Sequence, residues 1–178
     1  MKIKLRKEAG FTLIEMLIVV IVLGILAMII IPQINVSTGE ARVSTLRTNL
    51  STVRNAIELY YHQHDNAYPG TLRVMDTIKI AEDSDLHKIF ILQLTTYTQS
   101  DGRPSTKRDS LTPPIFGPYL KTPNLPLNPF NNSSKVTFDI KVTDVTVRTA
   151  SPSDGTGWKF YVNTGVFIAN DSAAHAAY

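Results

Sequence analysis

Residues 10–32 read GFTLIEMLIVVIVLGILAMIIIP, and the prediction of the fold starts from this segment. From Phe11 to the closing proline, polar side chains occur only at Thr12 and Glu15. A helix of the 21 residues before that proline is about 31 Å long, close to the ~30 Å hydrocarbon core of a bilayer. The alternative, a helix buried in a protein core, usually keeps a polar face. The stretch therefore predicts a transmembrane helix over residues 11–32.

A short basic leader precedes this stretch. Its charged residues are Lys2, Lys4, Arg6, Lys7 and Glu8, which together account for the whole formal charge of +3. Basic residues stay on the cytoplasmic side, so we expect the N-terminus to face the cytoplasm and everything after Pro32 to lie outside the inner membrane. The rest of the chain is electrically balanced and offers no general attraction for nucleic acid. The apolar run ends in Ile-Ile-Ile-Pro, not in the small residues of a signal-peptide cleavage site, so it should survive processing.

Glu15 is an acid in a segment that otherwise suits lipid. On insertion scales, a charge at the centre of a membrane helix costs about 2.5–3.5 kcal/mol, so such residues normally have a partner. A chain cut just before Phe11 would supply an α-amine. An uncut chain could instead pair Glu15 with Arg6 or Lys7, or keep it near the membrane interface.

The sequence KEAGFTLIEMLIVVIVLGILAMIIIP, from Lys7 onward, resembles the N-termini of type IV prepilins and type II secretion pseudopilins. The resemblance implies that residues 1–10 are a leader peptide, which prepilin peptidase removes by cutting between Gly10 and Phe11. It also implies that the new Phe11 amine is N-methylated. Glu15 would then meet the N-terminal amine of a neighbouring subunit, because a buried matched pair is tolerated better than one buried charge.

Beyond Pro32 the pattern becomes amphipathic. Apolar residues recur at steps of three and four, at Val43, Leu46, Leu50, Val53, Ile57 and Tyr60. This spacing predicts that residues 33–65 continue the long helix and that the stripe packs against the protein's own globular part. Pro32 and Gly39 weaken the helix between its two halves. We therefore expect the helix to bend or melt there when the subunit packs into a filament.

Residues 66–178 are predicted to form the globular part. The turn sequence NAYPG ends the long helix, and helical spacing predicts a second helix over about residues 83–98. Seven of the ten prolines lie in residues 103–130, which excludes long regular elements there. A disordered linker is one interpretation. Its apolar residues favour the other, an ordered loop that wraps the domain.

Strand signals follow this loop. KVTFDIKV and VTVRT alternate in the manner of strands, and residues 157–170 form a predicted hairpin around Asn163-Thr164-Gly165. The final DSAAHAAY is expected to be a soft tail. The predicted fold is therefore α+β and pilin-like, with a long N-terminal helix, a short second helix and a small C-terminal antiparallel sheet.

The chain offers little reactive chemistry. It has no cysteine, which excludes disulfides and cysteine-ligated zinc, and no nucleophile or phosphate-loop motif, so we expect no enzyme. The four histidines are spaced as isolated surface residues. Major pseudopilins often bind calcium in a C-terminal loop, but the clustered Asp and Ser motif is not matched here. Asp154 and Asp171 are weak metal candidates, and no cofactor is predicted.

The resemblance implies a structural subunit of a periplasmic pseudopilus that polymerises from the inner membrane and drives type II secretion. The implied partners are further copies in a helical filament, minor pseudopilins, prepilin peptidase, the inner-membrane assembly platform with its ATPase, and membrane lipid. The alternative is a type IV pilin for adhesion, twitching motility or DNA uptake. The missing cysteine pair and the loop sequence GPYL favour the pseudopilin. A third class is a membrane-anchored enzyme or ligand-binding module, but the sequence shows no group of reactive residues that would support it.

Overall fold

The computed structural model describes residues 10–71, 83–108 and 113–178, with the backbone alone for residues 29–37 and 83–85. The chain divides into two compact units, residues 1–41 and residues 42–178.

Helix α1, Leu13–Gln63, is 51 residues long and confirms the predicted long N-terminal helix. It ends two residues before the predicted boundary at residue 65. Asp65 and Asn66 follow it with φ angles of 52° and 59°. These left-handed conformations suit Asp and Asn better than most residues, so the chain turns sharply out of the helix there.

One face of α1 within residues 42–178 belongs to the hydrophobic core. Val43 is half-buried, and the other stripe positions are buried: Leu46, Leu50, Val53, Ile57 and Tyr60. Each fully buried side chain of this size contributes about 1.5–3 kcal/mol. The predicted packing of the stripe against the globular part is confirmed.

Helix α2, Asp83–Thr95, ends three residues before the predicted boundary. The chain enters a strand instead, because Tyr97 pairs with Ser105 and Thr98 pairs with Phe116. This first sheet is antiparallel in the order β2-β1-β3, and its strands are β1 Tyr97–Gln99, β2 Pro104–Ser105 and β3 Ile115–Phe116.

The second sheet has the order β4-β5-β6, with strands β4 Val136–Asp139, β5 Trp158–Tyr161 and β6 Phe167–Ala169. Strands β5 and β6 are antiparallel, which confirms the predicted hairpin. Strands β4 and β5 are parallel, so the sheet is mixed, and the predicted antiparallel pairing holds for β5 and β6 but not for β4 and β5. The connection over residues 140–157 is long enough to return the chain to the starting edge of the sheet, as a parallel pair requires.

Two other predictions for the C-terminal region are also wrong. Residues 145–149, VTVRT, do not form a strand, because Asp144 Oδ1 accepts hydrogen bonds from Thr146 N at 2.8 Å and Thr146 Oγ1 at 2.7 Å. Such a bond favours a turn. The expected soft tail is instead the short helix α3, Ala173–Ala176, whose first turn is capped by Ser172.

The proline-rich segment is an ordered loop in its described parts, residues 103–108 and 113–130. Leu120 and Leu125 are 5% and 3% exposed and belong to the core. The backbone N–H of Leu120 donates to the carbonyl of Leu94 in α2 at 2.8 Å. The interpretation as an ordered loop that packs on the domain is confirmed for these residues.

The centre of the core is aromatic. Phe160 on β5 lies 4.9 Å from Phe90 on α2, and Trp158 stacks on Phe167 at 5.4 Å, measured between ring centroids. The Trp158 Nε1–H donates to the Pro126 carbonyl at 2.9 Å, so the indole has no unsatisfied polar atom. The core thus joins α2, the proline-rich loop and the second sheet.

Candidate functional site

The predicted cleavage site lies at the start of α1. Gly10 and Phe11 precede the helix, and Phe11 is 80% exposed. A β-carbon built on Gly10 would meet no atom within 4 Å. The peptide bond between these two residues is therefore open to an approaching protein within the described part of the chain.

Thr12 and Glu15 form a reciprocal hydrogen-bonded pair across the first turn of α1. Glu15 Oε2 accepts from the Thr12 backbone N–H and from Thr12 Oγ1, each at 2.7 Å. In return, the Glu15 backbone N–H donates to Thr12 Oγ1 at 3.3 Å. This is a capping box, in which a threonine at the N-cap and a glutamate three residues later satisfy each other's free N–H groups.

The capping box has two consequences for Glu15. It places the carboxylate at the positive end of the helix dipole, where a negative charge is favoured. It also holds both Thr12 bonds on one carboxylate oxygen, Oε2. The sequence interpretation missed the role of Thr12, although the pattern T-x-x-E before an apolar run is the known signal. The predicted pairing of Glu15 with the Phe11 amine involves a neighbouring subunit and stays a prediction.

The first part of α1 exposes its apolar side chains. Every large apolar residue from Phe11 to Met28 is at least 46% exposed. Such a continuous apolar surface is rare on a soluble monomer and marks contact with lipid or with other proteins.

Within the described ranges, no helix combines the length and the apolarity needed to cross a membrane.

The predicted helix break concerns the assembled filament. In this single chain, α1 is helical through Pro32 and Gly39. The break on assembly stays a prediction.

Asp154, the first metal candidate, is satisfied by nitrogen and hydroxyl donors. Its Oδ1 accepts from Thr156 N at 2.8 Å and Thr156 Oγ1 at 2.7 Å. The side-chain amide of Asn170 donates to Oδ1 at 3.0 Å and Oδ2 at 3.1 Å. Both carboxylate oxygens therefore face N–H groups.

Asp171, the second candidate, is occupied in a different way. Its Oδ1 accepts from Asn128 Nδ2 at 2.7 Å, and its Oδ2 contacts His175 Nδ1. Within the described residues, no three His, Cys, Asp or Glu side chains gather as metal ligands. Because N–H donors fill the space that a cation would need, the residues present do not fit the calcium site that the resemblance implies.

The prediction of four surface histidines is wrong for two of them. His64 is 3% exposed and stacks on Tyr60 at 3.8 Å. The side chain of His175 is 16% exposed and packs against Phe130 at 4.1 Å. Phe130 is 45 residues from His175, so residue spacing does not reveal that contact. Tyr60 lies four residues before His64, a spacing at which helical side chains meet, but the spacing does not show that the pair is buried.

Comparison with known proteins adds an independent observation on the N-terminal segment. Residues 5–31 match the family described as the prokaryotic N-terminal methylation motif. The type II secretion system core protein G of Pseudomonas aeruginosa is 35% identical over 74 residues, which are 41% of this chain and 51% of that protein. The resemblance to the type IV prepilin-like family is confirmed.

Other prepilin-like relatives match over similar or shorter stretches. The core protein G of Vibrio cholerae is 38% identical over 69 residues, which are 38% of this chain and 46% of that protein. The type IV major fimbrial protein FimA of Dichelobacter nodosus is 45% identical over 51 residues, which are 29% of this chain and 33% of that protein. The chain spans about half the length, or less, of these curated relatives. No solved structure matches the chain significantly.

Proposed function

We propose that this chain is the structural subunit of a periplasmic pseudopilus, which polymerises from the inner membrane and drives protein export through a type II secretion system. The observation that carries the proposal is the methylation motif over residues 5–31, together with the similarity to proteins named type II secretion system core protein G. The exposed apolar start of α1 supports it, because such a surface needs lipid or neighbouring helices to cover it.

The first step is hydrolysis of the bond between Gly10 and Phe11 by prepilin peptidase on the cytoplasmic side. Water adds across the amide, leaving a carboxylate on Gly10 and a free amine on Phe11. The exposure of Gly10 and its lack of a side chain let a protease approach the backbone closely. N-methylation then forms a bond between the Phe11 nitrogen and a methyl group from a separate electrophilic methyl donor, which leaves with the electron pair of its own bond to that methyl, while the nitrogen gives up one proton. The methylated nitrogen stays basic, so it still carries a positive charge when protonated.

The second step is assembly. Removal of the leader takes away its net positive charge and creates the cation that Glu15 lacks. The Phe11 ammonium of one subunit pairs with the Glu15 carboxylate of its neighbour, and this pairing fixes the axial register of the helices. The capping box supports this role, since Thr12 orients the Glu15 carboxylate at the helix start.

In this scheme the subunit begins as a single-pass inner-membrane protein with a cytoplasmic N-terminus and a periplasmic globular part. It passes from the bilayer into a helical filament of identical copies. Minor pseudopilins and the inner-membrane assembly platform with its ATPase are the further partners. The role is structural and not enzymatic.

The second candidate is a type IV pilin for adhesion, twitching motility or DNA uptake. The similarity to the fimbrial protein FimA favours it. That match covers 29% of this chain, however, which is less than the 41% and 38% that the two core proteins G cover.

The test is deletion of the gene in its host, followed by two measurements: release of exported proteins into the medium and surface motility. Loss of release with normal motility, restored by the wild-type gene, supports the pseudopilin. Normal release with lost motility would contradict it and favour the pilin.

A further inference from the structure

The loop of residues 151–156 is tied to the end of β6 by one buried side chain. Asn170 is 0% exposed, although asparagine is usually a surface residue. Its backbone N–H donates to the Gly157 carbonyl at 3.0 Å, which fixes the residue next to the loop. Its side-chain amide points into the loop and contacts Ser151, Asp154 and Thr156.

The orientation of that amide follows from its partners. Asn170 Oδ1 lies 2.6 Å from the backbone nitrogen of Ser151. Because a backbone N–H can only donate, the side-chain atom beside it must be the oxygen. The other end of the amide, which faces Asp154, must therefore be the NH₂ group.

The two hydrogens of this NH₂ group are fully used. Asn170 Nδ2 lies 2.7 Å from Thr156 Oγ1 and 3.0 and 3.1 Å from the two carboxylate oxygens of Asp154, with the Ser151 carbonyl at 3.3 Å. The Thr156 hydroxyl in turn donates to Asp154 Oδ1 at 2.7 Å. Carboxylate, hydroxyl and carbonyl oxygens converging on one point are what a calcium ion requires, but here the point is a nitrogen donor.

We propose that the Asn170 amide takes the place of a metal ion in this loop, so that the globular part of the chain keeps its stability without divalent cations. The proposal does not depend on the proposed function, because it concerns the folding of residues 151–170. It contradicts the calcium site that the resemblance to major pseudopilins implies.

A second buried asparagine, Asn128, also holds a loop in place with its side-chain amide. Asn128 is 0% exposed, and its Nδ2 donates to the Gly157 carbonyl at 2.9 Å and to Asp171 Oδ1 at 2.7 Å. Its Oδ1 accepts from the Phe130 backbone N–H at 2.9 Å. The Gly157 carbonyl thus accepts from the side chain of Asn128 and from the backbone N–H of Asn170. The side-chain amide of each asparagine holds a different loop.

The experiment measures the thermal unfolding midpoint of the full chain in detergent, once with millimolar calcium and once with EDTA. For the wild type we expect the same Tm in both buffers. Asn170→Asp replaces the NH₂ donor with a carboxylate facing Asp154, and in EDTA it should lower Tm by roughly 4–10 °C. Calcium should restore part of that loss, because the converging oxygens then lack their nitrogen donor.

Asn55→Asp is the matched control, since it makes the same charge change at an exposed position on α1. An equal fall in Tm for Asn55→Asp and Asn170→Asp would show that the amide does not hold the loop. If the Tm of Asn170→Asp were the same in calcium and in EDTA, the amide would not occupy a position that a cation can take.

If Asn170→Asp does not fold, Asp154→Asn decides the question. The proposal predicts that its Tm, like that of the wild type, is the same in calcium and in EDTA. A wild-type Tm that rises with calcium, with the rise abolished by Asp154→Asn, would overturn the proposal.

Discussion

Gly165 and Tyr68 lie so close together that a β-carbon on the glycine would fall 2.2 Å from Tyr68 Cε1. Gly165 also has a φ of 71°, in the left-handed region. The turn between β5 and β6 can therefore reach its position beside the end of α1 only with glycine at this residue.

This contact makes Gly165→Ala a strongly destabilising substitution. We expect it to lower the free energy of unfolding by about 2–4 kcal/mol, because strain and a steric clash add together. Gly155→Ala is the control: Gly155 has a φ of 70°, but a β-carbon there would meet nothing within 4 Å. It should cost about 1 kcal/mol. Urea unfolding of both variants gives the comparison, and equal losses would mean that the Tyr68 contact does not matter.

Thr12→Val removes the hydroxyl that holds Glu15 while keeping the shape of the side chain. Loss of an N-cap side chain costs about 1 kcal/mol, so we expect roughly fivefold less filament with normal removal of the leader. The measurement is the ratio of filament protein to total processed protein. Thr12→Ser keeps the hydroxyl and should assemble normally. Wild-type yield from Thr12→Val would refute a positioning role for Thr12.

Glu15→Leu tests the intersubunit charge pair of the proposed function. The apolar side chain suits lipid, so insertion and processing should continue while filament yield falls close to zero. Glu40→Leu is the matched control, because Glu40 is exposed on α1. Immunoblots of membrane and filament fractions separate insertion from assembly. A normal yield from Glu15→Leu would exclude the pair as the source of register.

We expect His64 to make the free energy of unfolding depend on pH. Burial lowers its pKa, although the carbonyls of Tyr60 and Gln99 and the carboxylates of Asp101 and Asp65 oppose the shift. The unfolded chain therefore binds the proton more strongly, with a pKa of about 6.5. The contribution of neutral His64 to the free energy of unfolding is therefore complete above pH 6.5. It is lost as the pH falls from 6.5 through the lower pKa of the folded state.

His64→Phe should remove this dependence. The neighbouring phenols do not titrate in the same range, because the ordinary pKa of a tyrosine is about 10 and burial raises it further for Tyr60 and, to about 12, for Tyr119. Urea unfolding at about pH 7 and about pH 5 should show a loss for the wild type that is smaller in the variant. Equal losses would show that His64 is not the group responsible.

The accuracy of the sequence predictions varies with the range of the interactions involved. The stripe from Leu46 to Tyr60 was predictable because a helix repeats every 3.6 residues, and one buried face leaves that period in the sequence. The hairpin was predictable because Gly165 follows Asn163 and Thr164 between two apolar runs. The parallel pairing of β4 with β5 was not, because nothing local to either strand encodes which edge it joins.

The candidate sites also differ in how far apart their interacting residues lie in the chain. Gly10, Phe11 and Glu15 are close together in the chain, so consecutive residues were enough to predict them as a site, and the first turn of a helix brings Thr12 to Glu15. The hydrogen-bond partners of Asp154 could not be predicted from the residues next to it in the chain. Its partner Asn170 lies 16 residues away, and no local pattern indicates that a buried amide will be the donor. Local hydrogen bonds and helical periodicity are recorded in consecutive residues, whereas the match between a buried donor and a distant acceptor exists only once the chain has folded.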